Sequence, residues 1–284
     1  EKDGAIPGKA VIGAVRAGIR HQLGDLAERV STTLTWDDAI LHADLRALLA
    51  EVVAYARHRE HVFGTWGFAR KAGGHFGLSV LFSGPPGTGK TMTASLIGAD
   101  LGKEVYRIDL SRVVDKYIGE TEKNLARLFD QAERAQVILL FDEADSLFSS
   151  RTQVKSSNDR YANLEVNYLL QRMEAYSGMS ILTTNFDMGL DTAFQRRLRF
   201  RISFRMPDAA ERERLWRSMV PPEAALEPAI DWRTVAEEFE MAGGNIKNAL
   251  IRAAVLAAEA GTAIGFDQLY QAALSEFREM GRLA

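Results

Sequence analysis

No cysteine occurs in the 284 residues, which excludes disulfides, thiolate metal sites and a cysteine nucleophile. Positive charge is not in excess. Lys and Arg number 35 against 38 Asp and Glu, a formal net charge of −3, so bulk composition advertises neither nucleic acid nor an anionic membrane. No apolar run approaches the ~20 residues that span a bilayer; residues 137–141 have only the length of a core strand. Residues 10–19 are fairly apolar but contain Arg16 and lack a convincing cleavage site, so they do not read as a signal peptide. A cytoplasmic location is the expectation. The chain begins at Glu1 rather than Met, which leaves room for residues upstream. His21, His42, His58, His61 and His75 show no H-x-x-x-H spacing with a helpful acid and read as surface or core side chains. Internal repeats and low-complexity tracts are also absent.

What is present is an ordinary globular mixture, long enough for one large domain and a smaller one. Ile12, Val15, Ile19, Leu23, Leu26 and Val30 recur at three- and four-residue steps, predicting an amphipathic helical segment over residues 1–33, either packing surface or a docking arm. Trp36-Asp37-Asp38 reads as a helix start, and residues 41–61 as a long helix. From residue 78 the rhythm is strand, helix, strand: strands at 78–83, 104–110, 136–141, 180–184 and 200–204, with helices near 92–101, 120–134 and 161–175. Such alternation predicts an α/β domain over 34–204 with a doubly wound parallel sheet. After Met206-Pro207-Asp208 only helices follow, near 209–219, 232–239, 246–260 and 266–280. Residues 205–284 are therefore expected to form an all-helical lid domain.

The most informative stretch is Gly84-Pro85-Pro86-Gly87-Thr88-Gly89-Lys90-Thr91, which fits G-x-x-x-x-G-K-[ST], the phosphate-cradling P-loop. An apolar strand leads in. Gly84, Gly87 and Gly89 permit backbone conformations that let successive N–H groups converge on an anion. Pro85 and Pro86 stiffen the loop without adding donors. Lys90 is expected to reach the β- and γ-phosphates and the Thr91 hydroxyl to ligate Mg²⁺. The helix from Met92 onward turns its positive end to the phosphates. A Gly/Pro-rich turn is the plainer reading, but strand, loop, Lys-Thr and helix stand in register. Nucleoside triphosphate binding follows.

A second apolar strand, residues 137–141, ends in Asp142-Glu143. If it runs parallel to the P-loop strand, its carboxyl end reaches the same sheet edge, where ligands bind. Asp142 is then placed to hold Mg²⁺ through its water shell, and Glu143 to orient and deprotonate an attacking water. Favourable acids at a helix N-terminus would give the same letters.

Taken together these motifs resemble the AAA+ ATPases. Residues 84–91 and Phe141-Asp142-Glu143-Ala144-Asp145 look like Walker A and Walker B. Ile181-Leu182-Thr183-Thr184-Asn185 looks like the sensor 1 strand, which implies Asn185 beside the γ-phosphate. Leu190-Asp191-Thr192-Ala193-Phe194-Gln195-Arg196-Arg197 resembles the arginine-finger segment, which implies that Arg196 and Arg197 reach the site of a neighbouring protomer. Tyr117-Ile118-Gly119 resembles the first pore loop of a hexameric ring; a chance exposed aromatic is the alternative. The resemblance covers residues 36–260. It implies an adenine pocket formed by Ala39, Ile40, Gly244 and Ile246. Lys247 stands where other clades carry a sensor 2 arginine, and a solvated lysine is the alternative reading.

A narrower resemblance links residues 119–125, 158–165, 168–174 and 196–200 to the AAA+ ATPase encoded with phage-tail-like extracellular contractile injection systems. It implies a Mg²⁺-dependent ATPase, working as a homo-oligomeric and expectedly hexameric ring, that remodels, unfolds or loads a protein client such as an effector or tail component. A nucleotide-gated assembly scaffold without threading, and a DNA-handling AAA+ protein, are the rivals; acidic balance and the lack of a DNA-binding motif count against the second.

Overall fold

The computed structural model describes residues 26–72, 77–113, 120–145, 157–185 and 196–282. Among them a six-stranded sheet has the order β1-β3-β4-β5-β2-β6. Its strands are β1 (Ala27–Val30), β2 (Leu78–Ser83), β3 (Val105–Ile108), β4 (Ile138–Phe141), β5 (Met179–Thr184) and β6 (Phe200–Ser203). The longer helices are α1 (Ala43–Glu60), α2 (Lys90–Asp100), α3 (Glu120–Ala135), α4 (Ser157–Ala175), α5 (Ala209–Ser218), α6 (Trp232–Glu238), α7 (Gly243–Ala260) and α8 (Phe266–Glu279). Single-turn helices occur at Ala69–Ala72 and Leu110–Val113, and α1 runs into a π-helical turn at His61–Thr65.

Strands β2, β4 and β5 pair in parallel, as do β3 and β4. Their apolar residues are buried on both faces. Tyr106, Ile108, Leu139, Phe141, Leu81 and Leu182 join one core with Leu125, Leu128 and Phe129 of α3 and Leu169, Leu170 and Met173 of α4. The alternate residues Val80, Phe82, Val105, Ile138, Leu140 and Ile181 are equally buried. Continuous apolar strands of this kind are what a sheet covered on both sides requires. The expected α/β P-loop architecture is therefore the observed one, with strands β2 to β6 each within a few residues of expectation.

One expectation fails at residues 26–30. In place of the last turns of an amphipathic helix, Ala27–Val30 is an edge strand antiparallel to β3, pairing Ala27 with Ile108 and Val30 with Val105. The physical reason is visible in the letters: Glu28 and Arg29 find partners across the strand pair. Arg107 donates to Glu28 at 2.5 Å, and Arg29 lies 3.3 Å from Glu104. Leu26 and Ala27 meanwhile pack against the sheet core. The sheet is therefore mixed, though dominated by parallel pairs. The remainder of the expected segment, including Ile12, Val15, Ile19 and Leu23, lies outside the described residues.

By contact the chain falls into two compact units. One comprises the described parts of Glu1–Thr33, Leu49–Ser83 and Ala94–Ile202; the other comprises Leu34–Leu48, Gly84–Thr93 and Ser203–Ala284. The second unit has its own core, built from Trp216, Trp232, Val235, Phe239, Ile246, Ala253, Leu269 and Phe277. Ile40 packs against it. Helix α5 opens with a capping box in which Asp208 accepts from Glu211 N–H at 2.8 Å and Glu211 accepts from Asp208 N–H at 3.0 Å. Helix α7 ends on Gly261 in the left-handed conformation.

Candidate functional site

The glycine loop and the first turn of α2, Gly84–Thr93, belong to the second unit. Strand β2 ends at Ser83, and helix α2 begins at Lys90 itself, slightly earlier than expected. Lys90 and Thr91 thus lie in the first helical turn, whose backbone N–H groups have no intrahelical partner. Between them the loop turns through left-handed glycines: Gly84 at φ 130, Gly87 at φ 75 and Gly89 at φ 96. At Gly84 the demand is also steric, since an added Cβ would stand 2.0 Å from the carbonyl oxygen of Phe204. Thr88 Oγ1 donates to Pro85 O at 2.8 Å and closes the turn.

Lys90 is buried, with its side chain folded back into the loop. Nζ donates to Gly84 O at 2.6 Å and to Pro85 O at 2.9 Å. A buried ammonium at the start of a helix suits an anionic ligand, because its charge is already desolvated and positioned. The start of α7 meets the loop at Gly87: Gly244 N–H donates to Gly87 O at 3.0 Å. The approach is close enough that a Cβ on Gly244 would sit 3.1 Å from Gly87 Cα. Ala39 and Ile246 are buried, Met92 is half-buried and Lys247 is exposed on the first turn of α7. Glu276 of α8 fixes that turn by accepting from Asn245 Nδ2 at 3.0 Å and Asn248 Nδ2 at 3.2 Å. Neither Asn245 nor Glu276 stood out from the sequence.

The acid-side elements belong to the first unit. Because β2, β4 and β5 are parallel, the chain leaves each at the same edge of the sheet. Asp142 and Glu143 follow β4, and Asn185 follows β5. Asp142 is half-buried, and its Oδ1 accepts from Thr183 Oγ1 at 2.5 Å. Glu143 is exposed, at φ 52, and its N–H donates to Thr183 Oγ1 at 3.0 Å. Asp145 organises Asn185: it accepts from the Asn185 backbone N–H at 2.9 Å and from Nδ2 at 3.0 Å, while Thr184 Oγ1 donates to the same carboxylate. Thr183, Thr184 and Asp145 are thus structural partners of the expected site residues. A Thr pair just before Asn185, at the end of the strand Met179–Thr184, was the available signal.

Arg196 and Arg197 are both exposed. Arg197 O accepts from Ser79 Oγ at 3.0 Å, and Arg199 N–H donates to Ser79 O at 3.0 Å, so this segment is anchored on β2. Arg197 Nε stands 3.8 Å from Glu174 Oε1, a loose surface contact. Tyr117, Ile118 and Gly119 lie outside the described residues, as do residues 190–195. His42 is closer to carboxylates than the sequence suggested: Nε2 is 3.1 Å from Glu211 Oε2, and potential ligand atoms of His42, Asp208 and Glu211 lie within 4.8 Å of one another. The two carboxylates are those of the α5 capping box, which accounts for their proximity. Among the described residues no helix is long and apolar enough to cross a membrane.

Residues 80–208 match the family described as ATPase family associated with various cellular activities (AAA). These residues form an AAA-family ATPase module. The match begins inside β2 and runs through the loop, the acids, the Asn185 strand and β6. ATP hydrolysis is the chemistry of such a module. The chain is similar to an uncharacterized AAA family ATPase, y4kL, of Sinorhizobium fredii, at 34% identity over 66% of this chain and 54% of the relative. Similarity to cell division protein C of Sulfolobus acidocaldarius is 29% over 67% of this chain and 51% of that protein. A katanin p60 ATPase-containing protein of Otolemur garnettii is 31% identical over 90% of this chain and 52% of its own length. The chain spans about half the length of these curated relatives.

Proposed function

We propose that this AAA module binds ATP with Mg²⁺, hydrolyses it, and spends the free energy on remodelling, unfolding or loading a protein client. The observation that carries the reading is the buried Lys90 ammonium at the start of α2, set in a glycine loop built for an anion. The donor set suits the metal as well, since Thr91 offers a hydroxyl and Asp142 a carboxylate. When bound, Mg²⁺ supplies positive charge that favours nucleophilic attack at the γ-phosphorus. The protein's own groups do the rest. Lys90 and the loop N–H groups hold the phosphates. Glu143 accepts a proton from the attacking water, and Asn185, steadied by Asp145, helps place that water. Ala39, Ile40, Gly244 and Ile246 take the adenine, with Lys247 as a candidate cation from the lid.

The same reading assigns residues 34–204 to the nucleotide-binding domain and 205–284 to the lid. Arg196 and Arg197 serve as fingers in trans between copies of this chain in a hexameric ring, and Tyr117, Ile118 and Gly119 grip the client. Among clients, an effector or tail component of a contractile injection system rests on motif resemblance alone. The relatives described as katanin and as a cell division protein support AAA-driven work on proteins more broadly. The test is a pair of variants. Glu143→Gln should bind ATP without turning it over, whereas Lys90→Ala should lose binding itself. Parent-level hydrolysis by Glu143→Gln would overturn the assignment of the base.

A further inference from the structure

Thr183 occupies the fifth position of β5 and is 1% exposed. Its hydroxyl is used in both directions, donating to Asp142 Oδ1 at 2.5 Å and accepting from the Glu143 N–H at 3.0 Å. The backbone closes the same link, since Ala144 N–H donates to Thr183 O at 2.9 Å. Glu143 stands at φ 52, where a residue with a side chain is strained unless its surroundings hold it there. One hydroxyl on β5 therefore fixes the carboxylate of the first acid and the backbone of the second.

We propose that Thr183 is a positioning residue for ATP hydrolysis, its hydroxyl aiming the Asp142 carboxylate and holding Glu143 in its left-handed backbone conformation. Asp142 accepts a proton donor on Oδ1 from a direction set by β5, which restricts rotation of the carboxylate. Glu143 cannot relax into an ordinary turn without giving up its N–H acceptor inside the protein. Both restraints act before ligand arrives, as preorganised sites require. The inference rests on the reading of Asp142 as the metal-holding acid and Glu143 as the base. Simple satisfaction of buried polar groups would affect folding alone.

The test compares Thr183→Val, which keeps the shape and loses the hydroxyl, with Thr183→Ser, which keeps the hydroxyl, and with Glu143→Gln. Thermal unfolding, ATP turnover, and binding of a non-hydrolysable ATP analogue with and without Mg²⁺ are measured for each. Thr183→Val should lower kcat by roughly 10- to 100-fold, with a smaller change in KM. It should also shrink the gain in analogue affinity that Mg²⁺ provides to the parent. Thr183→Ser should restore both. If Thr183→Val does not fold, Thr183→Ala gives the same comparison. Parent-like kcat and parent-like Mg²⁺ gain in the valine form, beside a silent Glu143→Gln, would overturn the proposal. Equal losses in the serine and valine forms would do so too, because the hydroxyl would not be the cause. Parent-level turnover by Glu143→Gln would instead strike the underlying assignment of the acids.

Discussion

At Gly84 the chain accepts a backbone angle of φ 130 while the Phe204 carbonyl occupies the place of a side chain. Both conditions forbid even a methyl group. Gly84→Ala should therefore destabilise the protein by about 2 kcal/mol or more, measurable as a lower midpoint in urea unfolding. Tyr176 makes a different demand. Its buried hydroxyl lies 2.6 Å from Val137 O and 3.3 Å from Ala132 O, fastening the end of α4 to the β4 strand region. Burial, reinforced by the Glu133 carboxylate, pushes its phenol well above the ordinary value of 10.0. The folded state thus resists ionisation that the unfolded chain accepts. This contribution is fully present below the unfolded tyrosine's pKa and is lost as pH rises beyond it towards the folded value. Tyr176→Phe should cost about 1 kcal/mol at neutral pH. It should also flatten the fall in stability above pH 10.0, a comparison made by urea unfolding at neutral and alkaline pH.

At the scale of elements, the first turn of α7 depends on a residue far along the chain. Glu276 in α8 accepts from Asn245 and Asn248, and Gly244, just before Asn245, donates to the P-loop at Gly87. Glu276→Leu leaves two amides without their acceptor. It should lower the unfolding midpoint by an amount corresponding to about 1–3 kcal/mol and weaken ADP binding severalfold, as fluorescence titration would show. Such long-range links were not legible in the letters, whereas the elements they join were. Helices α5 to α8 announced themselves through apolar periodicity, and β2, β4 and β5 through largely apolar runs such as residues 137–141. Residues 26–30 misled because Leu26 and Val30 also fit a helical stripe, and so short a stretch cannot decide between periods of 2.0 and 3.6. What decided was pairing with β3, including Arg107 with Glu28, a non-local term. Glycine and Lys90 positions in the loop were legible because phosphate binding needs them at fixed spacing. Thr183 and Asp145 were not singled out, since their roles come from β4 and β5 lying side by side.

At the scale of the whole molecule, the proposed function has the AAA module complete its active site only with a second copy of the same chain. Arg196 and Arg197 are exposed on a segment anchored to β2, and a guanidinium provided in trans is worth about 10³ or more in rate. Specific activity should accordingly rise with protein concentration as copies assemble, while ATP binding by single copies persists. The most direct test mixes two inactive proteins, Arg196→Ala/Arg197→Ala and Glu143→Gln, and measures ATP turnover after co-assembly is verified. Restored activity is the expected result, because some interfaces then pair an intact base with intact arginines. A mixture that co-assembles and still does not hydrolyse ATP would contradict the shared site.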